Sequence, residues 1–303
     1  MKRIVLAGGT GNIGKLLSKV LTDSNYEVII LSRSDQDSSS SLIKYVKWDG
    51  ENQGAWVQEL EKADAVINLS GKSIQCRFTE ENKKALLKSR IDPTNALGEA
   101  IKSLTNPPRL WINFSGISLF EGLEGLYDED STVYADTFLA NLTKKWEHVF
   151  FSAETSSTTK VCLRLSPVLS TEFGMFKELY PLAKLGLGGT VGDGMQKISW
   201  IHESDLVSLV SWIINHESPG KVYHACAPKP ESNKEFMQNL RTAVNMPIGM
   251  PLPKVFAKIG AYFKGVESDM LLLSNSVASK RTIQEGFIHK YPNTHSAFKD
   301  LIK

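Results

Sequence analysis

Residues 4–14 constrain the fold most. A short apolar run, Ile4-Val5-Leu6-Ala7, passes directly into Gly8-Gly9-Thr10-Gly11-Asn12-Ile13-Gly14, and Lys15-Leu16-Leu17 then open an amphipathic helical pattern. Glycines at the first, fourth and seventh positions allow a tight turn, a close approach of backbone to a pyrophosphate, and close packing of helix on strand. The helix that follows offers unpaired N–H groups to an anion. A bare glycine motif is weak evidence, but here strand, turn and helix agree. Together they read as a dinucleotide site on Gly8, Thr10, Gly11, Asn12, Ile13 and Gly14.

The rest of the chain fits that reading. Short apolar runs alternate with longer amphipathic stretches, the mark of βαβ units and a parallel sheet. Strands are expected at Ile4 to Ala7, Glu27 to Leu31, Tyr45 to Trp48, Ala65 to Leu69, Leu110 to Phe114 and Val161 to Leu165. Helices are expected over Gly11 to Asp23, Glu80 to Ser103 and Asp136 to Glu154. The order predicts an α/β fold with a Rossmann-like, doubly wound parallel sheet. Asp35 to Ser41 has no apolar member and reads as a mobile surface loop. Beyond Leu165 the pattern loosens into Gly-rich (186–194) and Pro-rich (246–253) stretches. Residues 1–165 therefore read as the dinucleotide-binding domain, with contributions from about 200–230, and residues 166–303 as a smaller substrate-side and C-terminal region. Gly186 to Gly194 are expected to form a flexible lid over the substrate side.

Composition excludes several classes. The 303 residues carry 35 Lys and Arg against 33 Asp and Glu, so bulk charge predicts neither nucleic-acid nor anionic-membrane binding. Cys76, Cys162 and Cys226 are widely scattered and form no metal-ligand spacing, so no metal site is expected and the thiols read as reduced and packed. No stretch approaches the roughly 18 consecutive apolar residues of a membrane span. The N-terminus lacks the series of features of a secretory signal, and the chain is expected in the cytoplasm, although an imported protein whose transit peptide was removed would look the same.

The end of the second strand separates NAD from NADP, because an acidic residue there pairs with a free ribose 2′-hydroxyl. This chain has Leu31-Ser32-Arg33-Ser34 instead. An arginine suits a 2′-phosphate, so Ser32 and Arg33 point to NADP(H), a solvated arginine being the plainer alternative. Asp49 could accept from the adenine amino group, and Leu69-Ser70-Gly71 put small residues where the dinucleotide must pass; plain turns explain both as well. Arg90, on a predicted helix, suits a phosphate or carboxylate, against a structural ion pair.

These segments resemble the extended, atypical short-chain dehydrogenase/reductases of NAD(P)-dependent epimerase/dehydratase type. The matching pieces are the glycine turn, Ile67-Asn68-Leu69-Ser70-Gly71 and Trp200-Ile201-His202-Glu203-Ser204-Asp205. More narrowly, Ser89-Arg90 with Thr94, Phe138-Leu139-Ala140 with Lys145-Trp146-Glu147, and Leu185-Gly186-Leu187-Gly188-Gly189 resemble the SulA-like epimerase family. Ser279-Lys280-Arg281 and Glu285-Gly286-Phe287 look like that family's small C-terminal domain.

The resemblance implies hydride transfer between a nicotinamide and a substrate carbon, with a Tyr and a Lys four residues on moving the proton, and a Ser or Thr hydroxyl holding the substrate oxygen. Ser115 matches the hydroxyl position. The helix that should carry the tyrosine has none: Phe138, Leu139, Leu142 and Thr143 stand there. Tyr180 with Lys184 has the spacing but falls out of order and reads as coincidence. Tyr127 and Tyr134, in the loop before that helix, could reach the cleft from another direction, as could Asp128, Glu129 or Asp130, a solvated loop residue being the plainer reading of each. His202 is expected to order a helix start, and Asp205 to anchor that turn. The resulting expectation is an NADP(H)-binding oxidoreductase or epimerase acting on an unknown small molecule. A non-catalytic NADP(H)-binding regulator, for example in cell division, and a homodimer stay open.

Overall fold

The apolar runs pair into one parallel sheet in a computed structural model that describes residues 2–34, 36–38, 40–256, 258, 265, 267 and 272–303. Its strands are β1 (Arg3–Ala7), β2 (Glu27–Ser32), β3 (Ile43–Lys47), β4 (Ala65–Asn68), β5 (Leu110–Gly116) and β6 (Thr159–Leu165). The two-residue strands β7 (Val168–Leu169), β8 (Lys197–Ile198) and β9 (Ile201–His202) follow, then β10 (Val222–Ala225), which joins the main sheet, and β11 (Glu231–Ser232). The main sheet has seven strands in the order β10-β6-β5-β4-β1-β2-β3, every pair parallel. From β1 the chain winds outward through β2 and β3, then restarts on the other side at β4. That reversal opens a crevice at the carboxyl ends of β1 and β4, where such sheets bind ligands.

Alternation along each strand explains why the runs are apolar throughout. Ile4, Leu6, Val28, Ile30, Ile67 and Ile112 face Leu17 and Leu21 of helix α1 (Asn12–Asp23) and Leu206, Leu209, Val210 and Ile213 of helix α5 (Glu203–Asn215). The intervening Val5, Ala7, Ile29, Leu31, Val66 and Trp111 face α2 (Glu80–Ser103) and α3 (Phe138–Ser152) through Leu97, Ala100, Ile101 and Phe150. A parallel sheet covered on both faces needs apolar residues at both parities.

The first six strands and three helices fall where the sequence places them. The looser half is more regular than expected. It holds α4 (Gly174–Lys184), α5, α6 (Asn233–Ala243), α7 (Lys280–Gln284) and α8 (Thr294–Leu301). Phe176, Phe236, Leu240 and Phe298, from α4, α6 and α8, build a separate small core there. Residues 186–194 are tied down, unlike a free lid: Met250 N–H donates to the Gly186 carbonyl at 2.8 Å, Leu252 N–H to Thr190 at 2.8 Å, and Arg241 Nη1 to Gly188 at 2.7 Å. Of the predicted loop 35–41, residues 36–38, 40 and 41 lack helix or strand, and residues 35 and 39 lie outside the described residues.

Helix α1 can lie against the glycine turn only because Gly14 has no side chain: a Cβ there would stand 2.1 Å from the Gly9 carbonyl oxygen. Gly14→Ala should therefore lower stability by about 1–3 kcal/mol, the usual range for overpacking. The check is a lower urea midpoint at unchanged slope; an unaltered midpoint would mean that the helix separates from the turn without strain.

Candidate active site

The glycine turn closes over the crevice between β1 and β4. Gly8 takes φ +73°, a left-handed conformation open to glycine, and its N–H donates to the Leu31 carbonyl at 3.1 Å. On the other side, Leu69 N–H donates to the Ala7 carbonyl at 2.9 Å, fixing the segment after β4 beside the turn. Gly11 is the N-cap of α1; no side chain caps that helix and no acidic residue occupies its first turn. A Cβ on Gly11 would meet only the Gly8 carbonyl oxygen, at 3.9 Å, so the space before the helix end is open. Asn12 is exposed there, Thr10 is half-buried, and Ile13 turns back onto the core. The buried Ser70 hydroxyl has no hydrogen-bond partner and lies 3.0 Å from where a Gly8 Cβ would be. An uncapped helix end, an open cradle and an orphaned hydroxyl fit an anionic group such as a pyrophosphate.

Around this cradle the expected residues differ in what they are free to do. The buried Ser32 hydroxyl donates to the Ser34 carbonyl at 2.8 Å and accepts from Ser34 N–H at 3.2 Å, shaping the turn after β2. Arg33 is exposed and makes no ion pair among the described residues. The Asp49 carboxylate accepts from Asn52 Nδ2 at 2.7 Å and from the Asn52 and Glu51 N–H groups at 2.8 Å, which pull its pKa down to about 2. Both Asp49 oxygens thus serve their own turn. Arg90 has no carboxylate partner among the described residues. Its guanidinium carbon lies 3.3 Å from a Cβ position on Gly71 and 5.3 Å from the Trp146 ring, and Nη1 donates to the Leu86 carbonyl at 3.1 Å. Burial alone draws its pKa down to about 10. A desolvated cation without a counter-ion is the kind of group that a ligand anion stabilises.

At the carboxyl ends of β5, β6 and β10 lies a polar network that the sequence reading missed. Ser115, Arg164 and His224 stand in register, side by side on one face of the sheet. The Ser115 hydroxyl donates to Glu147 Oε1 at 2.7 Å; Arg164 donates from Nε to Oε1 at 2.9 Å and from Nη2 to Oε2 at 2.8 Å. Burial opposes the Arg164 charge, but the Glu147 carboxylate more than offsets it and holds the pKa up. Burial, then the Arg164 charge, drive the His224 pKa down to about 3. The imidazole is therefore neutral at pH 7, donating from Nδ1 to the Ala278 carbonyl at 3.0 Å and presenting Nε2 to Arg164 Nη1 at 3.4 Å. The legible signal was Arg164 itself, a lone charge inside the apolar run Val161-Cys162-Leu163-Arg164-Leu165. One turn before Glu147, Thr143 meets the Ser118 hydroxyl at 2.9 Å. Beside the network, Asn68 Nδ2 donates to Asn113 at 2.8 Å and to Thr94 at 3.1 Å, and Trp146 Nε1 donates to Thr94 at 2.9 Å.

The loop before α3 brings in one of the two candidate tyrosines. Tyr134, 36% exposed, stacks its ring 5.7 Å from the Arg164 guanidinium. Tyr127 instead stacks on Phe120 and donates to the Glu124 carbonyl at 2.7 Å. Buried Glu129 accepts from the N–H groups of His224, Arg281 and Lys280 at 3.2, 3.0 and 3.1 Å, while Asp128 and Asp130 pair with Lys280 and Arg281. These acids strap the C-terminal segment to the sheet. Asp205 does likewise: it reaches beyond its own turn to accept from the N–H groups of Lys290 and Tyr291 at 2.8 and 2.9 Å. His202 caps α5, its Nδ1 accepting from Ser204 N–H at 3.1 Å. Tyr180 and Lys184 lie on α4, where Tyr180 stacks on Phe176 in the small core. Among the described residues no cluster could hold a metal ion, and no helix is long and apolar enough to cross a membrane.

The chain is 32% identical over 305 residues to Epimerase family protein SA0724 of Staphylococcus aureus (strain N315), covering 100% of both, and 31% identical over 305 residues to Epimerase family protein SDR39U1 of Mus musculus, covering 99% of both. It belongs to this epimerase family. Residues 4–135 match the NAD dependent epimerase/dehydratase family. Human epimerase family protein SDR39U1 (isoform 2), solved with NADPH, superposes with a TM-score of 0.88 at 30% identity over 99% of both chains. MoeE5, solved with UDP-glucuronic acid and NAD, shares the fold at a TM-score of 0.76 and 18% identity, over 99% of this chain and 97% of its own.

The buried histidines make stability depend on pH. His224, and in the same direction His202 and His289, have folded pKa values below the ~6.5 of an unfolded histidine. Between those values the unfolded chain binds more protons, so stability falls as pH drops. For His224 the window runs from about 6.5 to about 3. Urea unfolding between pH 6 and 4 should show His224→Gln losing stability less steeply than wild type, by up to about 1.4 kcal/mol per pH unit. Equal slopes would show that His224 is protonated in the fold.

Proposed function

We propose that this epimerase-family protein binds NADP(H) in the crevice and acts as an oxidoreductase or epimerase on a small molecule. The observation that carries the reading is the cradle at Gly11, with its uncapped helix end and open space, together with the orphaned Ser70 hydroxyl beside Gly8. The NADPH in the human SDR39U1 structure supports the choice of dinucleotide.

In this reading Gly8, Thr10, Gly11, Asn12, Ile13 and Gly14 surround the pyrophosphate. Ser32 shapes the turn that presents Arg33 to the 2′-phosphate. Asp49, with its carboxylate engaged at home, bounds the adenine side by position. Leu69, Ser70 and Gly71 line the passage toward the nicotinamide, and Arg90 supplies the positive charge beyond Gly71. When bound, the nicotinamide donates or accepts a hydride. Ser115 contacts the substrate oxygen, and Tyr134 bounds the site on its solvent side. Residues 166–303 form the substrate side. The three unpaired cysteines agree with a reducing compartment, the cytoplasm.

Titration with NADPH and NADH, followed by nicotinamide fluorescence, tests the assignment. Wild type should prefer NADPH; Arg33→Ala should weaken NADPH at least tenfold more than NADH, as expected when an ionic hydrogen bond of about 1.5–3 kcal/mol is lost. Arg90→Met should weaken both equally. Equal losses in Arg33→Ala would remove Arg33 from the 2′-phosphate, and no binding by wild type would end the cofactor reading.

A further inference from the structure

The family resemblance calls for a Tyr-Lys pair on α3, where Phe138, Leu139, Leu142 and Thr143 stand instead, and one turn beyond Thr143 the helix carries Glu147. Thr143 meets Ser118, and Glu147 meets Ser115. We propose that Glu147, reached through Ser115 and held in place by Arg164, is the proton acceptor of this site and that its substrate is a secondary alcohol. The proposal rests on the NADP(H) reading above.

Position is the first argument. Ser115, Arg164 and His224 are each the next-to-last residue of their strands, so their row lies on the carboxyl edge of the sheet, where ligands bind. Energetics is the second. A buried ion pair usually adds little over apolar residues of the same volume, because desolvation offsets the attraction. Glu147 and Arg164 are 7% and 4% exposed, and Arg164 Nη1 turns to a neutral imidazole. The Ser115 hydroxyl is the neutral partner of this pair on the β5 side. Hydrogen-bond direction is the third argument. Ser115 gives its proton to the carboxylate, so its oxygen is left as an acceptor, and a partner that suits it is a hydroxyl.

The step balances as follows. The substrate O–H proton moves to Ser115 Oγ while the Ser115 proton moves to Glu147 Oε1. The substrate C–H hydride passes to an oxidised nicotinamide dinucleotide, and the alcohol becomes a carbonyl. Glu147 ends as the carboxylic acid, still held by Arg164 through Oε2. Groups that face this carboxylate are Arg164 and Cys162, with His224 and Tyr134 beside Arg164. Arg164 is a positioning residue.

The test uses the full chain with NADP⁺ and two alcohol probes, cyclohexanol and 1-acenaphthenol, reading NADPH formation at several pH values. NADP⁺ affinity, thermal midpoint and the infrared carboxyl bands are recorded on the same samples. Wild type should oxidise a probe and show, against Glu147→Gln, an ionised carboxylate at neutral pH. Glu147→Gln should lose about 10²–10³-fold in kcat and the acid limb of the pH profile, with NADP⁺ affinity unchanged. Ser115→Ala, which leaves the ion pair intact, should fall as far, and the double variant no further. The proposal is overturned by a protonated Glu147, by an unchanged kcat in either single variant, or by a wild type that binds NADP⁺ yet oxidises neither alcohol. A wild type that binds no NADP⁺ overturns the cofactor reading and the relay with it.

Discussion

The contact between Gly14 and the Gly9 backbone sets the geometry of the crevice. It brings the first turn of α1 against the turn that leaves β1, so the helix axis aims its uncapped end into the gap opened by the strand-order reversal. A helix shifted outward by one methyl group would still bury Leu17 and Leu21, but its N–H groups would no longer converge on the cradle. Backbone contact, without any side-chain chemistry, therefore decides where an anion sits.

The other half of the site follows a different logic. Where the glycine turn is built by removing side chains, the ends of β5, β6 and β10 are built by inserting charge into an apolar sheet. Such groups are stable only when nearly every donor and acceptor is matched. Glu147 uses both oxygens on Arg164, and the neutral His224 meets Arg164 Nη1. The burial that depresses the His224 pKa is thus what lets Arg164 keep a full charge beside it.

What could be read from the sequence divides along the same line. The strand, turn and helix at residues 3–23 were legible because the pattern is local and each glycine has a single backbone reason. The α2 limits were legible from the helical pattern between Glu80 and Ser103, which carries through Pro93. β10 was not: four residues interrupted by His224 carry no alternation, and only pairing with β6 makes them a strand. Nor was the Asp205 contact, because its partners lie more than eighty residues away. Glu147 looked like any helix glutamate, and Arg164 like an exception to a strand; each acquires its meaning from the other.

The strap through residues 278–281 has a consequence for how the molecule comes into being. The Ala278 carbonyl fixes the His224 ring, and the N–H groups of Lys280 and Arg281 hold Glu129 against β10, while Asp205 waits for Lys290 and Tyr291. During synthesis the glycine turn and the first strands emerge early. The polar edge around His224 cannot be completed until residues 278–281 have left the ribosome. A nascent chain thus holds the glycine turn, Ser115 and Glu147 well before the His224 ring beside Arg164 is fixed in place.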